Sequence, residues 1–206
     1  MKISYAITVK DELEEITKLL NFLQNTIRKE DEIIIQIDEF DASYEVIEFL
    51  KIQNAIHDYK IIAFPLNKDF ASFKNNLKSH CSGDYIFQID ADEIPHKNLI
   101  DYLPELLENN PVDIIFVPRV NTVEGLTEKH IEKWGWNVNE KGWVNWPDYQ
   151  TRIYKNTQDV TWMNPVHERI TGYNNFSNFP MEEQWSLYHH KHINRQENQN
   201  NFYETI

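Results

Sequence analysis

The sequence predicts an α/β protein built on a doubly wound, mostly parallel central sheet flanked by helices. Three observations carry that expectation. Short apolar runs of strand type alternate with stretches whose apolar residues fall at helical spacing, and this alternation continues from residue 2 to residue 89. Polar and charged residues gather where the strand-type runs stop. No apolar run approaches the roughly 20 residues of a membrane-spanning helix.

Each element has its own justification. Residues 2–9, KISYAITV, read as a buried strand, and 11–27 as a helix whose Leu13, Ile16, Leu19, Leu20, Leu23 and Ile27 share one face. EIIIQI at 32–37 is a second strand that stops at Asp38. Val46, Ile47, Phe49, Leu50 and Ile56 mark a second helix, YKIIAFP at 59–65 a third strand, and 70–80 a third helix. DYIFQI supplies a fourth strand, with a further helix at about 97–109. Strands alternating with helices imply parallel βαβ units, whose ligands bind at the carboxyl ends of the strands. Lys10 and Asp11, Asp38, residues 67–69, and Asp90 to Glu93 should therefore crowd one edge.

Beyond residue 119 the regular alternation weakens. Trp134, Trp136, Trp143 and Trp146 lie close together, and histidines gather at 167, 189, 190 and 192. Without a repeat or a linker rich in Pro, Gly and Ser, residues 1–206 read as one domain. In this reading 119–206 form a Trp-rich C-terminal extension packed on the same core. The Trp rings offer flat apolar faces to sugars, although packing is the favoured role.

At 206 residues the chain is long enough to bury a core, and 41% hydrophobic with 13% aromatic content argues for a globular protein. The formal charge of −13 argues against a nucleic-acid partner, because no basic block is available to displace phosphate counterions. A small phosphorylated substrate stays possible if a metal supplies positive charge. A single cysteine, Cys81, fits a reducing compartment, and MKISYAITVKDE meets charge too early for a secretory signal, so a cytoplasmic setting is expected.

The chemistry concentrates in YIFQIDADEIP, residues 85–95, where a strand ends in Asp90, Asp92 and Glu93. Two carboxylates at a strand terminus suit a hard cation such as Mg²⁺ or Mn²⁺. The competing role is to cap the helix that follows, through Asp92 or Glu93.

This segment, with DFASFKNNLKSHCSGDY just upstream, resembles the family 2 glycosyltransferases of the GT-A fold. Asp69, Phe70, Ala71, Lys74, Asn75, Gly83, Asp84, Tyr85, Asp90 and Asp92 all fall on the family pattern. AITVKDE is similar to the family's first strand and loop, and PDYQTRIYKN followed by WMNPVHERI to a segment of smaller bacterial and phage members. The resemblance implies a metal-dependent inverting transfer of a sugar from a nucleotide diphosphate sugar, UDP-sugar favoured, to a glycan or other hydroxyl acceptor. Residues 1–118 would form the nucleotide-binding half and 119–206 the acceptor-binding half.

The resemblance also implies roles. Asp92 would bind Mn²⁺ or Mg²⁺ directly, joined by His189 or His190, which spacing does not separate. Asp90 would meet the ribose, or the metal through water. Thr8, Lys10, Asp38 and Asp69 would contact the nucleotide, and Lys74 its phosphates or Asp90. The family's Glu-Asp pair is missing from the second half, leaving Glu168 and then Asp148 as candidates for the base. Glu168 could equally form an ion pair with Arg169 or Arg152. Two other readings stay open: a nucleotide-sugar hydrolase or a nucleotidyltransferase, the latter opposed by the lack of a Gly-rich loop after the first strand, and a non-catalytic carbohydrate-binding module.

Overall fold

A computed structural model describes residues 1–57 and 59–203. The chain opens with β1 (Ile3–Val9), α1 (Leu13–Gln24), β2 (Glu32–Asp38), α2 (Tyr44–His57), β3 (Lys60–Phe64), α3 (Phe70–Ser79) and β4 (Tyr85–Asp90). These are the alternating elements read from the sequence. α1 begins and ends inside its expected span, because its buried Ile16, Leu19, Leu20 and Leu23 define the only stripe that packs on the sheet.

β5 (Glu93–Pro95) and α4 (Lys97–Asn109) follow at once. The N-terminus of α4 is capped by His96, whose side chain accepts from the Asn98 amide at 3.1 Å. Asp92 and Glu93 are therefore not the cap, and the acids are left for another purpose. The chain continues through β6 (Ile114–Val117), β7 (Arg119–Glu124), α5 (Glu128–Trp134), β8 (Gln150–Lys155), β9 (Thr161–Met163), β10 (Arg169–Thr171) and β11 (Phe176–Asn178). A single 3-10 turn at Glu183–Trp185 leads to β12 (Leu187–His192) and α6 (Ile193–Tyr203).

The seven-stranded sheet runs β11-β6-β8-β4-β1-β2-β3. β8 lies antiparallel between β4 and β6, and the other neighbouring pairs are parallel. Strands from beyond residue 119 thus join the same sheet as the first four. The inner strands are buried on both faces, which is why they read as continuous apolar runs. A second, three-stranded sheet pairs β12 antiparallel to β5 and parallel to β7.

The tryptophans mostly pair with other rings: Trp134 with Trp136 at 4.6 Å between centroids, Trp143 with Trp146 at 4.8 Å. Trp162 packs edge-on to Tyr154 in the core. No helix among the described residues is long and apolar enough to cross a membrane.

Gly83 shows why a glycine precedes β4. A Cβ there would stand 2.7 Å from the Ser4 backbone nitrogen and 2.9 Å from the Ile3 carbonyl carbon, neither of which can move without shifting β1. Gly83→Ala should destabilise the protein by about 1–3 kcal/mol through overpacking, read as a lower midpoint in urea unfolding at unchanged slope.

Candidate active site

β1, β2 and β4 end together, and a cavity of about 1010 Å³ opens at their carboxyl edge, lined among others by Thr8, Asp38, Asp90 and Asp92. Acidic and basic residues are equal in number along its wall, in contrast to the charge of −13 on the whole chain.

The three-stranded sheet completes the site by register. His189 lies opposite Glu93 on one side and opposite Asn121 on the other. Residues two apart on a strand share a face, so Arg119 and Lys191 project the same way as this row. His189 Nε2 thereby comes within 3.3 Å of Asp92 Oδ2, and its Nδ1 lies 2.7 Å from Asn121 Oδ1. His190 takes the opposite face, where it is exposed beside Thr122 and Glu124. The structure thus separates the two histidines that the sequence left together.

A buried chain of alternating charges joins the two halves of the cavity. Glu93, with no exposure, accepts from Arg119 at 2.9 Å and from Arg152 at 2.6 Å. Arg152 Nη2 also reaches Asp90 Oδ2 at 2.5 Å, and Arg119 donates to Asp148 Oδ2 from Nε and Nη2 at 2.9 and 2.7 Å. Asp148 accepts as well from Asn121 and Gln150, at 2.7 and 2.9 Å.

These contacts set the charge states. Burial works against ionisation of Asp90, but Arg152, Lys74 and the Thr8 hydroxyl overcome it and hold the carboxyl well below its ordinary range. Asp92 is likewise opposed by burial and is held low by His189 when Nε2 carries a proton, and by Lys191. Burial lowers His189, outweighing the raising effect of Asp92, so a neutral ring dominates near neutral pH. Asp148 is opposed by burial and held low by Arg119 and Asn121.

The remaining sequence candidates divide. Thr8 donates to Asp90 Oδ1 at 2.9 Å, and Asp38, 4% exposed, accepts from the Leu66 amide at 3.3 Å at the cavity wall. Lys10 stands on the rim and pairs with Asp41 at 3.4 Å. Lys74 is buried 4.4 Å over the Trp162 ring and forms an ion pair with Glu168. Glu168's partner is therefore Lys74, where the sequence had suggested Arg169 or Arg152. Asp69 is not among the residues lining the cavity: it caps α3, accepting from the Ser72 amide at 2.9 Å and hydroxyl at 2.6 Å.

Sequence reasoning missed Arg119, Asn121, Lys191 and Arg195, and gave Glu93 no role beyond a cap. Arg119 and Asn121 alternate with apolar Val120 in β7, a period-two signal that was available. Lys191 Nζ and Arg195 Nη2 lie 3.9 and 3.7 Å from Asp92 Oδ2, and Arg195 also pairs with Glu12 at 2.5 Å.

The donor set fits a divalent cation. A carboxylate oxygen and a ring nitrogen stand close enough to share one ion, and both types ligate Mn²⁺ or Mg²⁺. Among the described residues no three His, Cys, Asp or Glu side chains converge as a cage. The other positions would fall to substrate phosphates and water, the usual arrangement for these ions.

The comparisons with known proteins bear on the family and the fold. The family model described as glycosyl transferase family 2 matches residues 4–185, and the chain belongs to that family, which is an inverting one. No curated protein sequence matches. Among solved structures, S. aureus TarS 1-349 superposes with a TM-score of 0.63 at 13% identity, covering 92% of this chain and 60% of that one. The same fragment in complex with UDP-GlcNAc gives 0.61 at 14% identity, covering 93% and 59%. A longer TarS structure gives 0.64 at 13%, covering 92% and 37%. These likenesses establish the GT-A fold, and the chain spans 37–60% of the length of these TarS chains.

Removing Glu93 would leave two guanidinium groups in the interior without their shared partner. Glu93→Ala should cost about 3–5 kcal/mol, the usual cost of breaking a buried pair on one side. Urea unfolding of the purified variant checks it.

Proposed function

We propose that this protein is a metal-dependent inverting glycosyltransferase that moves a sugar from a nucleotide diphosphate sugar, UDP-sugar favoured, to a glycan or other hydroxyl acceptor. The observation that carries the reading is the approach of Asp92 and His189 at the carboxyl edge of the sheet, within a chain of glycosyl transferase family 2. UDP is favoured because TarS structures of the same fold are in complex with UDP and with UDP-GlcNAc. We place the protein in the cytoplasm, as read from the sequence.

Asp92 and His189 would hold Mn²⁺ or Mg²⁺, which when bound supplies Lewis acidity to the departing diphosphate. Asp38 and Thr8 stand at the strand ends where the nucleoside would lie, and Asp90 is fixed there by Thr8 and Arg152. Lys191 and Arg195 add positive charge beside Asp92, which offsets the phosphates of the donor. We assign donor binding mainly to residues 1–118 and acceptor binding to 119–206, with His189, Lys191 and Arg195 crossing over to the donor.

Inversion needs a base on the acceptor side to take the hydroxyl proton as that oxygen attacks the anomeric carbon. We assign this to Glu168, whose carboxylate is oriented by Lys74 and lines the cavity. Asp148 is less suited, because its oxygens already accept four donated hydrogen bonds and its charge is held by Arg119.

Isothermal titration of UDP should show binding with Mn²⁺ that disappears in EDTA and in Asp92→Ala; equal binding with and without metal would sink the metal-bridged site. Once a donor and acceptor are found, Glu168→Gln should lower kcat by about 10²–10⁴-fold, the range for loss of a general base, with UDP affinity unchanged. A kcat within a few-fold of wild type would remove Glu168 from the chemistry.

A further inference from the structure

Resting on the assignment of Asp92 and His189 to a divalent cation, we propose that Asn121 is a positioning residue that fixes His189 as its Nδ1–H tautomer, leaving the Nε2 lone pair for the metal. The argument needs only donors and acceptors. Asn121 Nδ2 donates to Asp148 Oδ2 at 2.7 Å and lies 3.5 Å from the Val144 carbonyl oxygen. A carboxylate and a carbonyl can only accept, so the amide has one orientation, with Oδ1 turned to His189 Nδ1 at 2.7 Å.

An amide oxygen also only accepts, so Nδ1 carries the hydrogen. In the neutral ring Nε2 is then a lone pair, and it faces the carboxylate of Asp92 at 3.3 Å. Two acceptors set face to face are satisfied by a cation between them. The partner on the far ring nitrogen of a metal-binding histidine commonly sets its tautomer and orientation in this way.

Asp148 thereby gains a role away from proton transfer. Anchored by Arg119, it holds the Asn121 amide, which holds His189. The β7–β12 register that sets Asn121 opposite His189 makes the relay part of the sheet.

The test is nitrogen-15 NMR of histidine-labelled protein without metal at mildly alkaline pH, with the His189 signal identified by its loss in His189→Gln. Wild type should show Nδ1–H. In Asn121→Ala, Asp92 is the remaining acceptor and the ring should turn to Nε2–H, with Mn²⁺ binding in the presence of UDP weakened roughly 10–100-fold. A purely structural role for Asn121 would leave the tautomer unmoved. An Nε2–H ring in wild type, or no change of tautomer in Asn121→Ala, overturns the proposal. A ring that turns as expected in a protein that binds no Mn²⁺ upholds the relay and overturns the metal assignment.

Discussion

The carboxylate of Glu93 is the constraint on which the site depends. It has no contact with solvent and is shared by Arg119 and Arg152. Each arginine then reaches to one more acid, Asp148 or Asp90, so one buried charge fixes two carboxylates of the cavity wall. Ion pairs in the interior are held at a desolvation cost and persist where geometry and hydrogen bonding are good. Planar guanidinium groups, each able to bond two partners, suit that requirement better than lysine would. Among the described residues, Arg152 Nε is the one guanidinium nitrogen left buried without a hydrogen-bond partner.

The same network explains why two sheets are needed. The large sheet delivers Asp38 and Asp90 at the ends of parallel strands, as its topology dictates. It cannot deliver a histidine to the far side of Asp92. The small sheet does so by turning the chain sharply after β4, pairing β5 with β12, and setting Glu93, His189 and Asn121 in one row. A slip of one residue in β12 would turn His189 away from the cavity.

Much of this was legible in the sequence. The first four strands and the helices between them followed from periodicity, because both faces of the inner strands are covered and both kinds of repeat are clean. Asp92 was singled out by the family pattern around it, since its strand-end position alone suited a helix cap as well, and the same resemblance brought in His189 or His190. What could not be read was anything set by pairing across long separations. Register decides which of the two histidines faces the cavity. Asp69 sat within a family pattern yet caps α3, because a short acid before a helix satisfies the free amides of its first turn wherever the ligand lies. Glu93 looked like a helix cap since sequence gives no sign that two arginines, 26 and 59 residues farther on, converge on it.

One consequence of the β5–β12 pairing concerns time. Asp92 and His189 are separated by 97 residues, so at the usual pace of synthesis roughly 5–20 s pass between the appearance of one and the other. During that interval the parallel core formed by β1 to β4 can assemble, because all of its strands have already emerged. The acids at its edge must wait for their cations, and β12 is the strand that turns a folded sheet into a closed site.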